Sequence, residues 1–246
     1  EILNLLNAQY KYENNLLSID TSAVENKVIE EALAKKLRAS YYFMGSLLSK
    51  YHHVEMYFPG GCKIGKRPID YHIKGFEALG ATVKIDGDKY IIDAPELNGA
   101  DITFDFPSVG ATINIMLAAV KANGQTRIFN AAKEPEIVNI ADFLKSMGAK
   151  IKGAGTDTIT ITGVKKLSKG HIYTIPDRIE AGTYIIAGAL AGDHLVIDKI
   201  EPKHLESLLT TLKNMNVDYI LEENSIIISK QTNLKPVNIV SQVYPN

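Results

Sequence analysis

A pattern about seventy residues long recurs along this chain, and nothing else in the sequence constrains the fold as strongly. Four stretches share it: Leu5-Leu6-Asn7-Ala8, Ala78-Leu79-Gly80-Ala81, Ser146-Met147-Gly148-Ala149 and Asn214-Met215-Asn216-Val217. Their third positions are always Gly or Asn and lie 73, 68 and 68 residues apart. Gly and Asn are the residues that most readily take the left-handed conformation ending a helix. Each stretch is followed by an alternating apolar run: Leu16 to Ile19, Tyr90 to Ile92, Thr158 to Thr162, and Ser225 to Ile228. The pattern predicts, four times over, a helix end, a turn and a hairpin. Repeats of this length are supersecondary blocks that share a core with their neighbours.

A second series interleaves with the first. Arg38-Ala39-Ser40, Gly110-Ala111-Thr112 and Ala181-Gly182-Thr183 each open a helix of small and aliphatic residues, with Ser40, Thr112 and Thr183 spaced 72 and 71 residues apart. Hydroxyl residues there are expected to cap helix N-termini, satisfying orphan amides. Ile113 to Val120 and Tyr184 to Leu190 are apolar nearly all round, which predicts burial on every side. The unit is thus mixed α/β, with a buried helix, an amphipathic helix and several short strands. The chain holds roughly three and a half such units. The first reads as a second half and the last breaks off at Tyr244-Pro245-Asn246, so the sequence is expected to be part of a longer protein.

Composition narrows the function. Lys plus Arg number 27 against 28 Asp plus Glu, a formal net charge of −1. That balance argues against a long nucleic-acid partner, which needs a basic surface, while leaving room for one basic pocket. No apolar run nears the ~18 residues that would span a bilayer. One cysteine, Cys62, excludes an intramolecular disulfide framework and an all-cysteine zinc site, and the six histidines show no metal-binding spacing. No signal-peptide pattern opens the sequence, and the expected location is the cytoplasm.

The richest stretch is Pro59-Gly60-Gly61-Cys62-Lys63-Ile64-Gly65-Lys66-Arg67-Pro68-Ile69-Asp70. It follows a strand-like run, Val54 to Phe58, and precedes a helix expected to begin near Pro68. Its glycines permit close backbone approach. Lys63, Lys66 and Arg67 surround the thiol, and such neighbours bring a cysteine pKa from about 8.5 down to roughly 3.5–7.5. The competing reading is an inert cysteine in a solvated basic turn. Gly60, Gly65 and Lys66 imitate a phosphate-binding P-loop, but Arg67 stands where that motif needs a hydroxyl for magnesium. Anion binding by Lys66 and Arg67 survives the objection. Arg38 could pair with a surface carboxylate, Asp70 and Ser108 could be helix caps, and Arg178 and Glu180 fit a structural ion pair as well as a cleft contact.

The run from Pro59 to Ala81 resembles the loop of the enolpyruvyl transferases that act on UDP-N-acetylglucosamine. Further matches are Leu37-Arg38-Ala39-Ser40, Ser108-Val109-Gly110-Ala111-Thr112, Glu134-Pro135-Glu136-Ile137-Val138, Gly155-Thr156-Asp157, and Pro176 through Thr183. The resemblance implies a pair of inside-out α/β barrels, each of three repeats. Residues 1–175 would form the cysteine-loop barrel, its first repeat truncated, and 176–246 part of the second. It further implies transfer of the enolpyruvyl group of phosphoenolpyruvate to the sugar 3-hydroxyl with release of phosphate. Cys62 matches the proton-donating, adduct-forming thiol, and Arg67 the arginine on phosphoenolpyruvate. Arg38 matches a cleft arginine, while Arg67, Pro68, Ile69, Asp70, Tyr71, Ser108, Val109 and Gly110 match the nucleotide-binding segments. The expected partners are the two small substrates, with no nucleic acid, membrane, metal or organic cofactor. The family's amino-terminal Lys-Asn pair and its base aspartate have no counterpart here, and Phe106 stands where many members carry Lys. The chain is therefore expected not to turn over alone. The shikimate-pathway enolpyruvyl transferase and a non-catalytic UDP-sugar-binding relative are the alternatives.

Overall fold

The computed structural model describes residues 1–61 and 68–245. The chain forms two compact units, Glu1–Ala132 with Ile140–His171, and Lys133–Asn139 with Ile172–Asn246.

The four predicted turns are present, each with its Gly or Asn in the left-handed region: Asn7 at φ 60°, Gly80 at 95°, Gly148 at 101° and Asn216 at 63°. They close helices α1 (Ile2–Leu5), α4 (Asp70–Ala78), α6 (Pro135–Ser146) and α8 (Glu206–Asn214). Each leads into an antiparallel hairpin: β1 (Gln9–Glu13) with β2 (Leu16–Asp20), β4 (Thr82–Asp86) with β5 (Lys89–Asp93), β8 (Lys150–Lys152) with β9 (Thr158–Thr162), and β11 (Tyr219–Leu221) with β12 (Ser225–Ile228). Alternation fixes which face is buried. In β9, Ile159 and Ile161 are fully buried between half-exposed threonines.

Three units share one further strand. β3 (His53–Tyr57), β7 (Gln125–Phe129) and β10 (Leu195–Asp198) each pair antiparallel with the second strand of the following hairpin. The orders are therefore β3-β5-β4, β7-β9-β8 and β10-β12-β11, with β6 (Asp101–Thr103) added parallel to β7. The β1–β2 hairpin has no third strand among the described residues, and all ten of its residues are exposed.

In the first unit, α3 (Tyr42–Tyr51) and α4 pack against α5 (Val109–Ala119). The α4–α5 approach is close enough that a Cβ on Gly75 would run into the Ile115 side chain. As predicted, α5 is buried nearly all round, nine of its eleven residues lying in the core. Its counterpart in the second unit, α7 (Arg178–Ala191), departs from the same prediction. Ala181, Gly182, Ile185, Gly188 and Ala189 are buried on one side, whereas Tyr184, Ile186 and Leu190 are exposed. The cause is local: α7 is packed mainly by β10, β12 and the short 3-10 turn Pro202–Leu205, and among the described residues no pair of helices packs on it as α3 and α4 pack on α5.

The hydroxyls at the second repeat do not cap. Ser108 caps α5, accepting from the Ala111 amide at 3.3 Å, and Asp177 caps α7, accepting from Ile179 and Glu180 at 2.8 and 3.1 Å. Ser40, Thr112 and Thr183 lie farther along and tie other backbone: Ser40 Oγ donates to Ala34 O, Thr112 Oγ1 accepts from Ala132 N, and Thr183 Oγ1 donates to Ile179 O. The helix after the cysteine loop begins at Asp70, two residues later than Pro68 suggested, and Ile69 at its N-cap makes no side-chain cap.

Candidate functional site

Cys62, Lys63, Lys66 and Arg67 lie outside the described residues, but the structure shows where the chain enters their stretch. The Gly60 amide donates to O of Ala34, the last residue of the short helix α2 (Glu31–Ala34), at 3.0 Å, and a Cβ on Gly60 would collide with the Lys35 backbone. Gly61 has φ 122°, and a Cβ there would stand 3.0 Å from Arg38 Cβ. Both positions need glycine because the strand end is pressed onto residues 35–38. The chain thus enters the loop directly against Arg38, in the 3-10 turn Arg38–Tyr41. It leaves through exposed Pro68 and buried Ile69 into α4.

Asp70 is exposed in the first turn of α4, where its charge suits the helix dipole. Tyr71, half-buried, sets its ring 5.4 Å from that of Phe104 and carries the Lys74 ammonium 5.7 Å from its centroid. Phe106 is exposed.

Arg38, α4 and the start of α5 meet around three residues that the sequence reading did not single out: Tyr41, His72 and Asn114. The Arg38 guanidinium lies 5.4 Å from the centroid of the Tyr41 ring, which stands edge-on to the His72 ring at 4.7 Å. Asn114 is wholly buried in α5; its amide nitrogen donates to Tyr41 O at 3.1 Å and lies 2.8 Å from His72 Nδ1, while its Oδ1 accepts from the Gly45 amide at 2.9 Å. These partners fix the amide orientation, so His72 Nδ1 is the acceptor and Nε2 carries the proton. Burial, then the nearby Arg38 charge, push the His72 pKa down to about 4, with Asp70 opposing. A Cβ on Gly110 would stand 2.6 Å from the Tyr41 hydroxyl and 3.0 Å from His72 Nε2 and Cε1. Glycine is what lets α5 start against these two rings. An Asn inside the chain's most apolar helix was the available signal, because a buried amide requires partners.

Of the expected site residues, Arg38, the loop entry and Ser108-Val109-Gly110 come together, with Asp70 and Tyr71 one step away on α4. Arg178 and Glu180 belong to the second unit. There Arg178 Nη2 pairs with Glu136 Oε1 at 3.3 Å and its guanidinium covers the Tyr244 ring at 5.0 Å. Among the described residues no group of three or more His, Cys, Asp or Glu could hold a metal ion, and no helix is long and apolar enough to cross a membrane. A helix start with first-turn amides, a guanidinium and aromatic faces forms a surface suited to an anionic, ring-bearing ligand.

The sequence profile of EPSP synthase (3-phosphoshikimate 1-carboxyvinyltransferase) matches residues 1–246. The chain belongs to the EPSP synthase family. Within it, the chain is 50% identical over 246 residues to the UDP-N-acetylglucosamine 1-carboxyvinyltransferase of Clostridium botulinum, covering 99% of this chain and 59% of that protein. It is 48% identical over 246 residues to UDP-N-acetylglucosamine 1-carboxyvinyltransferase 2 of Bacillus subtilis, covering 57% of it. The chain therefore spans under three-fifths of the length of these relatives. Among solved structures, the enolpyruvyl transferase NikO from Streptomyces tendae superposes with a TM-score of 0.83 at 21% identity, over 96% of this chain and 57% of that one. EPSP synthase from Acinetobacter baumannii gives 0.67 at 18% identity, over 96% and 56%. The fold is that of the EPSP synthase family, present in part.

Proposed function

We propose that the complete protein transfers the enolpyruvyl group of phosphoenolpyruvate to the 3-hydroxyl of UDP-N-acetylglucosamine, releasing phosphate, as the committing step of peptidoglycan precursor synthesis in the cytoplasm. The observation that carries this is the 48–50% identity, along the whole chain, to relatives bearing that enzyme name. Identity of 18% to EPSP synthase from Acinetobacter baumannii gives far less support to shikimate 3-phosphate as acceptor.

In this reading Cys62 protonates the vinyl carbon C3 of phosphoenolpyruvate. The sugar hydroxyl attacks C2, losing its proton, and the tetrahedral adduct expels phosphate while C3 gives back a proton. Arg67 and Arg38 balance the charges of phosphoenolpyruvate, a task suited to the planar guanidinium fork. Pro68, Ile69, Asp70 and Tyr71 receive the nucleotide, and Ser108, Val109 and Gly110 present the amino end of α5 to its phosphates. Both substrates are small molecules. Phosphoenolpyruvate carries its own leaving group, so the scheme assigns no role to a metal or organic cofactor. Residues 1–175 and 176–246 are assigned to the cysteine-loop barrel and to part of its partner barrel.

The test is phosphate release from phosphoenolpyruvate by the full-length protein, with UDP-N-acetylglucosamine or shikimate 3-phosphate as acceptor. Release with the UDP-sugar alone is expected. Release with shikimate 3-phosphate, or with neither, refutes the assignment. The 246-residue polypeptide by itself is expected to release none.

A further inference from the structure

We propose that His72 is a positioning residue for the first turn of α5, setting how tightly that turn takes a diphosphate-bearing ligand. The ligand half of this rests on the function proposed above; the positioning half rests on geometry alone.

One buried imidazole joins the 3-10 turn at Tyr41, α4 and the start of α5. It belongs to α4, two residues after Asp70. Its Nδ1 accepts from Asn114 of α5 at 2.8 Å, its ring meets Tyr41 at 4.7 Å, and its Nε2 edge lies over the Gly110 backbone. Asn114 cannot rotate to release it without giving up the bonds to Tyr41 O or Gly45 N. The ring is thereby locked in place and in tautomer, because the hydrogen bond made by one ring nitrogen decides where the proton sits on the other. What it locks is the start of α5. Ser108 Oγ accepts from the Ala111 amide and Ser108 O from the Thr112 amide, whereas the amides of Val109 and Gly110 have no acceptor within the helix. A phosphate that takes those two amides depends on where Gly110 sits, and Gly110 sits against His72 and the Tyr41 hydroxyl. Because the imidazole is neutral, it orients this turn without adding a second cation beside Arg38.

The experiment compares the full-length parent with His72→Phe, which keeps a ring and deletes the acceptor, and His72→Asn, which restores an acceptor near the Nδ1 position. Three quantities are read: the imidazole tautomer by long-range proton–nitrogen spectra of the parent, amide hydrogen exchange at Ala111 and Thr112, whose amides are bonded to Ser108, and the dissociation constant for UDP-N-acetylglucosamine. The parent is expected to show the Nε2–H tautomer. His72→Phe is expected to exchange faster at those amides and to bind the sugar nucleotide about tenfold more weakly, with His72→Asn recovering part of the loss. The opposite tautomer, unchanged exchange in the Phe variant, or faster exchange with an unchanged dissociation constant would each overturn the proposal. Should the Phe variant not fold by circular dichroism, the Asn variant carries the comparison: faster exchange with weaker binding in it counts as support, and parent-like values of both overturn the proposal. If the parent binds no UDP-N-acetylglucosamine, the functional reading fails by itself. Tautomer and exchange still stand, and inorganic pyrophosphate becomes the probe for the affinity measurement.

Discussion

Asn114 Oδ1 accepts the Gly45 amide at 2.9 Å across the α3–α5 contact, and this bond exists because residue 45 has no side chain. A Cβ on Gly45 would stand 2.8 Å from that Oδ1 and nearer still to the Asn114 backbone oxygen. A helix backbone cannot give way as a flexible side chain can, so Gly45→Ala has to push α3 from α5 and break a buried bond. The expected loss is roughly 3 kcal/mol, read as a lower urea midpoint at an unchanged slope. A parent-like midpoint would show that the two helices separate without cost.

His72 makes stability depend on pH in a direction that can be worked out. Its pKa is about 4 in the folded chain against about 6.5 when unfolded, so the unfolded state holds more proton between those values. The contribution is fully present above pH 6.5 and is lost as pH falls through the folded value near 4. The gap between those two values corresponds to roughly 3 kcal/mol. Urea midpoints at pH 7 and pH 4.5 should therefore differ more for the parent than for His72→Phe. Equal differences for the two proteins would mean that other groups carry the acid sensitivity.

Much of the fold was legible because the repeat sets it locally. Asn7, Gly80, Gly148 and Asn216 announce left-handed turns by residue type alone, and Thr158 to Thr162 announces an edge-in, edge-out strand by alternation. The misreadings share one cause. Whether a helix as apolar as α7 is covered on both sides depends on neighbours that periodicity does not reveal, and Ser40, Thr112 and Thr183 bond backbone that is remote in sequence or within their own turn. The site divided similarly. Arg38 and Ser108 to Gly110 are candidates through the family resemblance of their motifs, whereas Tyr41, His72 and Asn114 come into view only through contacts of the Arg38–Tyr41 turn and α3 with α4 and α5. Histidines read as surface or core groups include His72, which is core, and His53, which is half-buried on β3 with its Nδ1 2.6 Å from Asp93 Oδ1.

Asp177 holds the entrance to α7 by accepting, on one carboxylate oxygen, hydrogen bonds from the amides of Ile179 and Glu180. Asp177→Ala removes the one acceptor shared by two amides that have no partner inside the helix, and should cost about 1 kcal/mol. Asp177→Asn retains an acceptor and should cost a few tenths. Because the second unit has its own core, built on Ile185, Leu209, Leu212 and Ile226, the loss should appear as faster amide exchange in 178–191. Equal effects of the two substitutions would refute capping as the cause.

The proposed chemistry places a reactive thiol among cations at Cys62, beside a bound anion. Fosfomycin, an epoxide analogue of phosphoenolpyruvate, should therefore alkylate Cys62 of the full-length protein, and faster with UDP-N-acetylglucosamine bound. Intact-mass spectra without added inhibitor under both conditions would count against a formed site. Arg67→Lys replaces a planar fork by a point charge and should raise the KM for phosphoenolpyruvate about tenfold or more. Unchanged kinetics would remove Arg67 from that role.

The exposed face of α7 should decide how the 246-residue polypeptide behaves in solution. Ile179, Ile186 and Leu190 are 63%, 44% and 59% exposed, at spacings that place them along one side of the helix with Thr183 between. On α5 the corresponding side is covered by α3 and α4, and its residues from Ala111 to Met116 are buried. The β1–β2 hairpin adds a second apolar surface, since Tyr10 faces Ile19 and Tyr12 faces Leu17 across the strands with all four exposed. Apolar surface of this kind drives association in water. Sedimentation velocity of the polypeptide at rising concentration should show reversible self-association, and Ile186→Lys with Leu190→Glu should weaken it without lowering the urea midpoint, because neither side chain is part of the second unit's core. A monomer at all concentrations would show that these faces are too small or too interrupted to pair.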